Sequence, residues 1–196
     1  MNNLKVYRKA LIIVDMVNGF VREGVLHDKS IGVIISRQKE IIEDCINDAK
    51  TLIIFFKDEH TKDSTELKRF GGMIHCEKGT HESEVVDEFK CYEKKDNVIF
   101  IPKNSTSFME APMFRQIIKD LKNVQRFEVA GCCTDICIAN GTIGLSNYLD
   151  QNNIDADIYV HEDAIATYGA PNRDKEEYEK AAKLLMKQQG IKFKRK

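Results

Sequence analysis

The sequence predicts a three-layer α/β/α sandwich around a mostly parallel sheet of five or six strands. Short runs that are apolar throughout recur along the 196 residues. Such runs are typical of strands buried on both faces of a parallel sheet. Segments with apolar residues at helical spacing alternate with these runs, and this alternation is the pattern of βαβ units. Together the two observations favour a parallel sheet that is covered by helices on both faces.

The elements follow one another in chain order. Strands are expected at residues 10–14, 51–56, 97–101, 127–130 and 156–160, with a weaker sixth at 190–193. Helices are expected at residues 31–49, 110–121, 134–149 and 172–189. Because this length suits one hydrophobic core, we interpret residues 1–196 as a single domain. A polar stretch at about 57–94 breaks the alternation and is interpreted as a functional insertion.

Composition excludes several classes of partner. The chain carries 30 basic and 31 acidic side chains and a net charge of -1, so it has no global field that attracts nucleic acid or an anionic membrane. No apolar run approaches the roughly 20 residues that span a bilayer. Residues 1–5 do not resemble a signal peptide. We therefore expect a cytoplasmic protein with mostly reduced cysteines and with no nucleic-acid or membrane partner.

Reactive side chains follow several of the predicted strands. Ligands bind beyond the carboxyl ends of strands in an open parallel sheet, and there we find Asp15, Lys103 and the segment 131–137. Cys137 is the candidate nucleophile, because a helix start favours a thiolate. Asp15 could move its proton, Lys103 could stabilise the thiolate, and the Cys133 and Cys137 amides could hold an oxyanion. The alternative is that Cys137 is only a small buried hydrophobe.

Three segments of the chain resemble motifs of the isochorismatase-like cysteine hydrolases, which include the nicotinamidases. The segments are IIVDMVNGF at 12–20, PKNSTSF at 102–108 and GCCTDICI at 131–138. The chain departs from the family pattern at four positions. Val17 replaces a usual Gln, Gly19 an Asp, and Cys132 with Cys133 an aliphatic–Ala pair.

This resemblance implies an isochorismatase-like, Rossmann-like fold and a catalytic triad. In that triad Asp15 is the general base, Lys103 the electrostatic partner and Cys137 the nucleophile. The resemblance also implies a cis peptide between Cys132 and Cys133, which would help to aim the oxyanion-hole amides.

The long polar stretch contains a candidate metal site. Asp58 and His60 lie two residues apart after the second strand, and His75 opens the segment HCEKGT. Carboxylate and imidazole ligands suit divalent zinc, manganese or iron. HCEKGT resembles a nicotinamidase segment, and that resemblance implies Asp58, His60 and His75 as ligands, with zinc as the first choice of metal. Glu66 is our choice for the remaining ligand and Asp63 is the alternative, whereas a solvated acidic loop is the competing interpretation.

The resemblance implies that the chain hydrolyses nicotinamide to nicotinate and ammonia through a thioester on Cys137, a step of NAD salvage. Phe20 and Phe108 would pack around this small aromatic amide, the metal would bind its ring nitrogen, and the protein would be a homo-oligomer. Another small amide, a carbamoyl compound or an isochorismate-type ether is the alternative substrate, and a binding subunit without activity is a further rival. His161 is expected to make a structural hydrogen bond rather than to line the cleft.

Overall fold

The computed structural model describes residues 4–195, apart from the Lys5 side chain, and contains one six-stranded parallel sheet. Residues 1–3, part of the segment from which we expect no signal peptide, and residue 196 lie outside the described residues. The strand order is β3-β2-β1-β4-β5-β6. The strands are β1 Lys9–Val14, β2 Thr51–Asp58, β3 Val98–Lys103, β4 Arg126–Cys132, β5 Asp157–Ala166 and β6 Lys192–Lys194.

Seven α-helices connect or flank these strands in the described part of the chain. They are α1 Asn18–Val21, α2 Ile35–Cys45, α3 Thr65–Arg69, α4 Asp87–Lys90, α5 Pro112–Ile117, α6 Ala139–Gln151 and α7 Lys175–Gln188. Short 3₁₀ segments and a π-helical turn, Thr134–Ile138, complete the helical structure. Between residues 4 and 195, no helix combines the length and apolar character needed to cross a membrane.

The predicted fold class is confirmed, because helices cover both faces of the parallel sheet. One face of β1, with Ile12 at its centre, packs in a cluster with residues of α5, α6 and α7. The other face, with Leu11 and Ile13, packs in a second cluster with residues of α2 and α4. The alternation of Ile12 with its neighbours between two cores explains why the strand is apolar at every position.

The helices are shorter than the sequence pattern predicts. A 3₁₀ segment, Lys29–Ile34, occupies the start of the helix predicted over 31–49, and the Asp28 side chain caps it by accepting from the Ser30 amide at 2.8 Å. The helix predicted over 110–121 begins at Pro112, because proline suits the first helical position. Periodicity alone does not reveal such local stops.

Strand β5 runs six residues beyond the predicted end at 160. The prediction stops there because His161, Glu162 and Asp163 are polar. In the structure His161 pairs with Glu128 and Asp163 pairs with Arg37, so both side chains have an ionic partner on a neighbouring element. Pairing of β5 with β4 resumes after a register shift. The weaker sixth strand is present, displaced to Lys192–Lys194.

The stretch 57–94 contains structure of its own. It includes α3, α4 and a 3₁₀ turn, His81–Ser83. A parallel bridge pairs His60 with Glu77 through hydrogen bonds from His60 N to Cys76 O (3.0 Å) and from Lys78 N to His60 O (2.8 Å). This bridge brings the HCEKGT segment alongside the end of β2.

Candidate active site

Three charged side chains meet where β1, β2 and β3 end. Asp15 follows β1, while Asp58 and Lys103 are the last residues of β2 and β3 and stand opposite each other in the sheet register. Lys103 Nζ lies 2.8 Å from Asp15 Oδ2 and 2.7 Å from Asp58 Oδ1. It also lies 3.7 Å from Cys137 Sγ. One buried ammonium group therefore connects two carboxylates and a thiol.

Close packing of β1 on β4 supports this meeting point. Gly131 has a φ of +130°, and a Cβ there would lie 2.1 Å from the Val14 carbonyl oxygen. Only glycine therefore allows the two strands to approach at this level. Beyond it, Asp15 itself leaves the strand with a φ of +52° and Cys132 Sγ donates to Asp15 O at 3.1 Å.

Burial and the neighbouring charges both shift the pKa values of Asp15 and Lys103. Burial prevails at Asp15, whereas the neighbouring charges prevail at Lys103. Burial raises the pKa of Asp15 to about 7, although the positive charge of Lys103 lowers it and the Asp58 carboxylate raises it further. Burial alone would lower the pKa of Lys103, but Asp15 and Asp58 outweigh it and hold that pKa well above its ordinary value. Asp15 can therefore gain or lose a proton near neutral pH while Lys103 stays charged.

The environment of Cys137 differs from the sequence-based expectation. Cys137 lies in the π-helical turn that precedes α6, not in the first turn of an α-helix. Burial raises the pKa of its thiol well above the ordinary value, although Lys103 acts in the opposite direction. Burial therefore acts against the expected stabilisation of a thiolate by a helix start and favours the thiol form of Cys137. The peptide bond between Cys132 and Cys133 is cis, as the resemblance implies.

Four potential metal ligands converge beside this cluster. Asp58, His60, Glu66 and His75 are all buried, and one ligand atom from each lies within 4.8 Å of the others. Asp58 Oδ2 lies 2.8 Å from His60 Nε2 and 3.5 Å from His75 Nε2. Glu66, on α3, completes the set, whereas the alternative acid Asp63 has an exposed side chain outside it.

The second ring nitrogens of the histidines have partners of their own. His60 Nδ1 lies 2.6 Å from Asn104 Oδ1, and His75 Nδ1 lies 2.9 Å from the Met73 carbonyl oxygen. Both partners are acceptors, so each Nδ1 carries the proton in the neutral ring and each Nε2 keeps a lone pair directed at the cluster. Glu66 Oε2 is buried and has no hydrogen-bond partner among the described residues. This donor set fits a divalent metal ion.

A small cavity lies between the candidate nucleophile and the candidate metal ligands. Its volume is about 70 Å³, and its wall includes Cys133, Cys137 and His75. A water molecule needs about 10–15 Å³ of such space, so the cavity has room for a small molecule only. Asp58 contributes to the same wall. The thiol of Cys137 and the candidate ligands Asp58 and His75 thus line one cavity.

The two phenylalanines expected around a substrate lie in different places. Phe20 lines the cavity, with its ring centroid 5.8 Å from that of His75. Phe108 does not line it: its ring is fully buried against Phe56, at 4.9 Å between centroids, and against Gly141. Phe108 is therefore not in the cavity wall, where the contact with a substrate was expected. Its ring lies in the core and fills the space that a side chain at position 141 would occupy.

Several cavity residues escape the sequence analysis. They are Leu26, Met73, Thr106, Ile136 and Tyr168. Thr106 and Ile136 fall inside the segments PKNSTSF and GCCTDICI, so their neighbours in the motifs could have indicated them. The other three lie outside every motif and are brought to the cavity by the course of the chain.

Comparison with known proteins places this chain in a family. A family model described as the isochorismatase domain matches residues 9–192. Nicotinamidase 1 of Arabidopsis thaliana is 29% identical over 141 residues, which cover 65% of this chain and 56% of that protein. The chain therefore matches little more than half the length of this curated relative.

Solved structures share the fold. A pyrazinamidase/nicotinamidase from Streptococcus mutans has a TM-score of 0.76 at 20% identity, covering 95% of this chain and 99% of its own. The pyrazinamidase of Pyrococcus horikoshii in complex with zinc has a TM-score of 0.73 at 24% identity, covering 96% and 99%. The N-carbamoylsarcosine amidase of Thermoplasma acidophilum has a TM-score of 0.72 at 24% identity, covering 96% of each chain. Since the family model matches nearly the whole chain, this protein belongs to the isochorismatase family of hydrolases.

Proposed function

We propose that this hydrolase cleaves nicotinamide to nicotinate and ammonia with the help of a bound divalent metal. The observation that carries the proposal is the sharing of Asp58 between two groups of residues. One of its oxygens pairs with Lys103 at 2.7 Å, and the other lies 2.8 Å from His60 in the ligand cluster. A ligand set of this kind beside a thiol suits an amide whose ring carries a metal-binding nitrogen.

Cys137 is the nucleophile of the proposed reaction and Asp15 is its general base. Because burial raises the pKa of the Cys137 thiol, its proton must leave as the new bond forms. Asp15, whose pKa is raised to about 7, is suited to accept it. Lys103, with Nζ 3.7 Å from Cys137 Sγ, stabilises the negative charge that develops on sulfur.

The reaction then proceeds in two balanced steps. The sulfur of Cys137 attacks the carboxamide carbon, and the backbone amides of Cys133 and Cys137 hold the oxyanion. Asp15 returns its proton to the leaving nitrogen, the C–N bond breaks and ammonia departs, leaving an acyl-thioester. Asp15 next takes a proton from water, and the hydroxide releases the acid and restores the thiol.

Asp58, His60, Glu66 and His75 would hold the metal, and zinc is the first candidate, with manganese or iron as alternatives. When bound, the metal supplies a Lewis-acid contact for the ring nitrogen and so orients the ring. Phe20 would pack against that ring, since it lines the cavity beside His75. A ring of this size is compatible with the cavity volume of about 70 Å³.

The test is ammonia release from nicotinamide by the purified protein, measured before chelation, after chelation and after zinc or manganese is added back. We expect chelation to abolish release and metal to restore it. The Cys137→Ala variant is the control for the thiol, and it should release no ammonia under any condition.

Two results would replace the proposal. Release from an N-carbamoyl compound or another small amide, but not from nicotinamide, would keep the thiol chemistry and change the substrate. Full turnover by Cys137→Ala would remove the thiol mechanism. The cytoplasmic location, the homo-oligomer and the single domain over residues 1–196 stay predictions, and light scattering after size-exclusion chromatography tests the oligomer.

A further inference from the structure

The segment between β5 and α7 contributes one side chain to the cavity wall. Tyr168 lines the cavity and is half-buried there. The next residues, Gly169 to Asn172, are exposed. No motif in the sequence reaches this segment, and the proposed reaction assigns it no role. Contacts outside the motifs therefore hold Tyr168 in the cavity wall.

Arg173 contacts both the backbone and the ring of Tyr168. Its Nη1 donates a hydrogen bond to the Tyr168 carbonyl oxygen. Its guanidinium carbon lies 3.8 Å from the centroid of the Tyr168 ring and 4.3 Å from that of Tyr178, on α7. The guanidinium plane thus holds both the backbone and the ring of Tyr168, which a lysine ammonium cannot do in the same way.

Asp135 links this arrangement to the turn that carries the candidate nucleophile. Arg173 Nη2 forms an ion pair with Asp135 Oδ2, and the Thr167 hydroxyl donates to Asp135 Oδ1 at 2.5 Å. The Arg173 and Asp135 side chains are only 11% and 10% exposed, so solvent screens the pair little. Asp135 lies in the π-helical turn with Cys137.

Two walls of one small cavity are therefore joined through Asp135, by its partly buried ion pair with Arg173 and by its hydrogen bond from Thr167. One wall is the turn with Ile136 and Cys137, and the other is Tyr168. In a cavity of about 70 Å³, a shift of one aromatic side chain changes which molecules fit. We propose that Arg173 is a positioning residue that holds Tyr168 against the cavity and so determines the size of amide that reaches Cys137.

The first test measures access to Cys137 and requires no turnover. Alkylation of Cys137 by iodoacetamide and by the bulkier N-phenylmaleimide is followed by peptide mass spectrometry, which separates Cys137 from Cys133. We expect Arg173→Ala to raise the bulky-to-small rate ratio roughly tenfold, the scale of discrimination by pocket size. Arg115→Ala is the matched control, because Arg115 is an exposed arginine of α5 paired with Glu110 at 3.2 Å, and it should leave the ratio unchanged.

The second test asks whether Arg173 acts through Tyr168. Tyr168→Ala should raise the same ratio, and adding Arg173→Ala to it should have no further effect. Arg173→Lys, which keeps the charge but not the planar fork, should give an intermediate ratio. If Arg173→Ala fails to fold by circular dichroism, Arg173→Lys decides the question alone.

The substrate readout rests on the proposed function. For nicotinamide we expect Arg173→Ala to raise KM roughly tenfold and to lower kcat by less than about threefold, because the variant loses fit rather than a reacting group. If the wild-type protein does not hydrolyse nicotinamide, the proposed function fails while the alkylation ratio still tests Arg173. An unchanged ratio in Arg173→Ala, or an equal rise in the Tyr168→Ala background, would overturn the positioning role.

Discussion

Two buried ionic clusters lie on the same sheet and have opposite character. At the carboxyl ends of the strands, two carboxylates, Asp15 and Asp58, share one lysine, Lys103. Nearer the amino ends, one carboxylate, Glu128, has four basic partners. His161 Nε2 lies 2.8 Å, Lys9 Nζ 3.1 Å and Lys194 Nζ 2.8 Å from its oxygens, and the more exposed Arg126 Nη1 lies 3.9 Å away.

The clusters differ in the number of partners rather than in burial. Burial raises the pKa of both acids, and it prevails at Asp15, whose pKa reaches about 7. At Glu128, His161, Lys194 and Lys9 outweigh burial and hold the pKa far below its ordinary value. A buried acid with too few partners stays available for proton transfer, whereas a fully paired acid only holds strands together.

Removing the candidate nucleophile should have the largest effect and should be specific to the carboxyl-end cluster. Cys137→Ala should lower kcat for amide hydrolysis at least about a thousandfold, because the covalent step loses its reacting atom. The measurement is ammonia release with zinc present. Glu128→Gln is the matched control from the other cluster, and its kcat/KM should stay close to that of the wild type. Equal losses in the two variants would mean that the clusters are not functionally distinct.

The amino-end cluster should dominate stability instead. Glu128→Ala leaves four basic groups without their shared acid, and breaking a buried ion pair in this way costs about 3–5 kcal/mol. Lys9 and Lys194 are about a quarter to a third exposed, so water offsets part of the loss and we expect about 2–3 kcal/mol. Urea unfolding measures this change. A loss under about 0.5 kcal/mol, typical of a surface substitution, would remove the structural role.

The contrast between the clusters also shows which features the sequence reveals. The apolar runs predict the sheet because β1 is buried on both faces. The motifs indicate Asp15, Lys103 and Cys137 as candidate catalytic residues. The expectation for His161 agrees with its hydrogen bond to Glu128. These features depend on local pattern, which one sequence contains.

Other features depend on packing between distant segments, and no local pattern records them. Phe108 follows a motif, yet its ring fills the space beside Gly141. Tyr168 and Arg173 reach the cavity from beyond every motif. The raised pKa of the Cys137 thiol follows from its burial, which the helix-start argument does not contain. Sequence reasoning therefore identifies reactive groups more readily than the walls that select their substrate.

Removing a hydrogen-bond partner of a candidate ligand should test whether the carboxyl-end cluster binds metal. Asn104 accepts from His60 Nδ1 at 2.6 Å and so fixes the ring that would bind metal. Asn104→Ala should weaken zinc binding by about 10–100-fold, the usual cost of losing such a partner. Competition with a chromophoric chelator measures the Kd. Asn97→Ala, an asparagine that bonds to the Thr51 carbonyl instead, is the control. Equal affinities in all three proteins would argue against His60 as a ligand.

The two clusters should also differ in how their contributions to stability depend on pH, and the dependence has opposite signs. The folded-state pKa of Asp15 is raised from 3.8 to about 7, so its contribution to stability is present below pH 3.8 and is lost as pH rises to about 7. The folded-state pKa of Glu128 is lowered from 4.5, so its contribution is present above pH 4.5 and is lost as pH falls.

Asp15→Asn should therefore gain stability relative to the wild type between about pH 4 and pH 7. The disadvantage of Glu128→Gln should shrink only as pH falls below about 4.5. Urea unfolding of the three proteins, with a chelator present throughout, measures both curves. If Asp15→Asn tracks the wild type across that window, the acid has its ordinary pKa in the folded protein. Only the position of Asp15 beside Lys103 and Cys137 would then distinguish it from the fully paired Glu128.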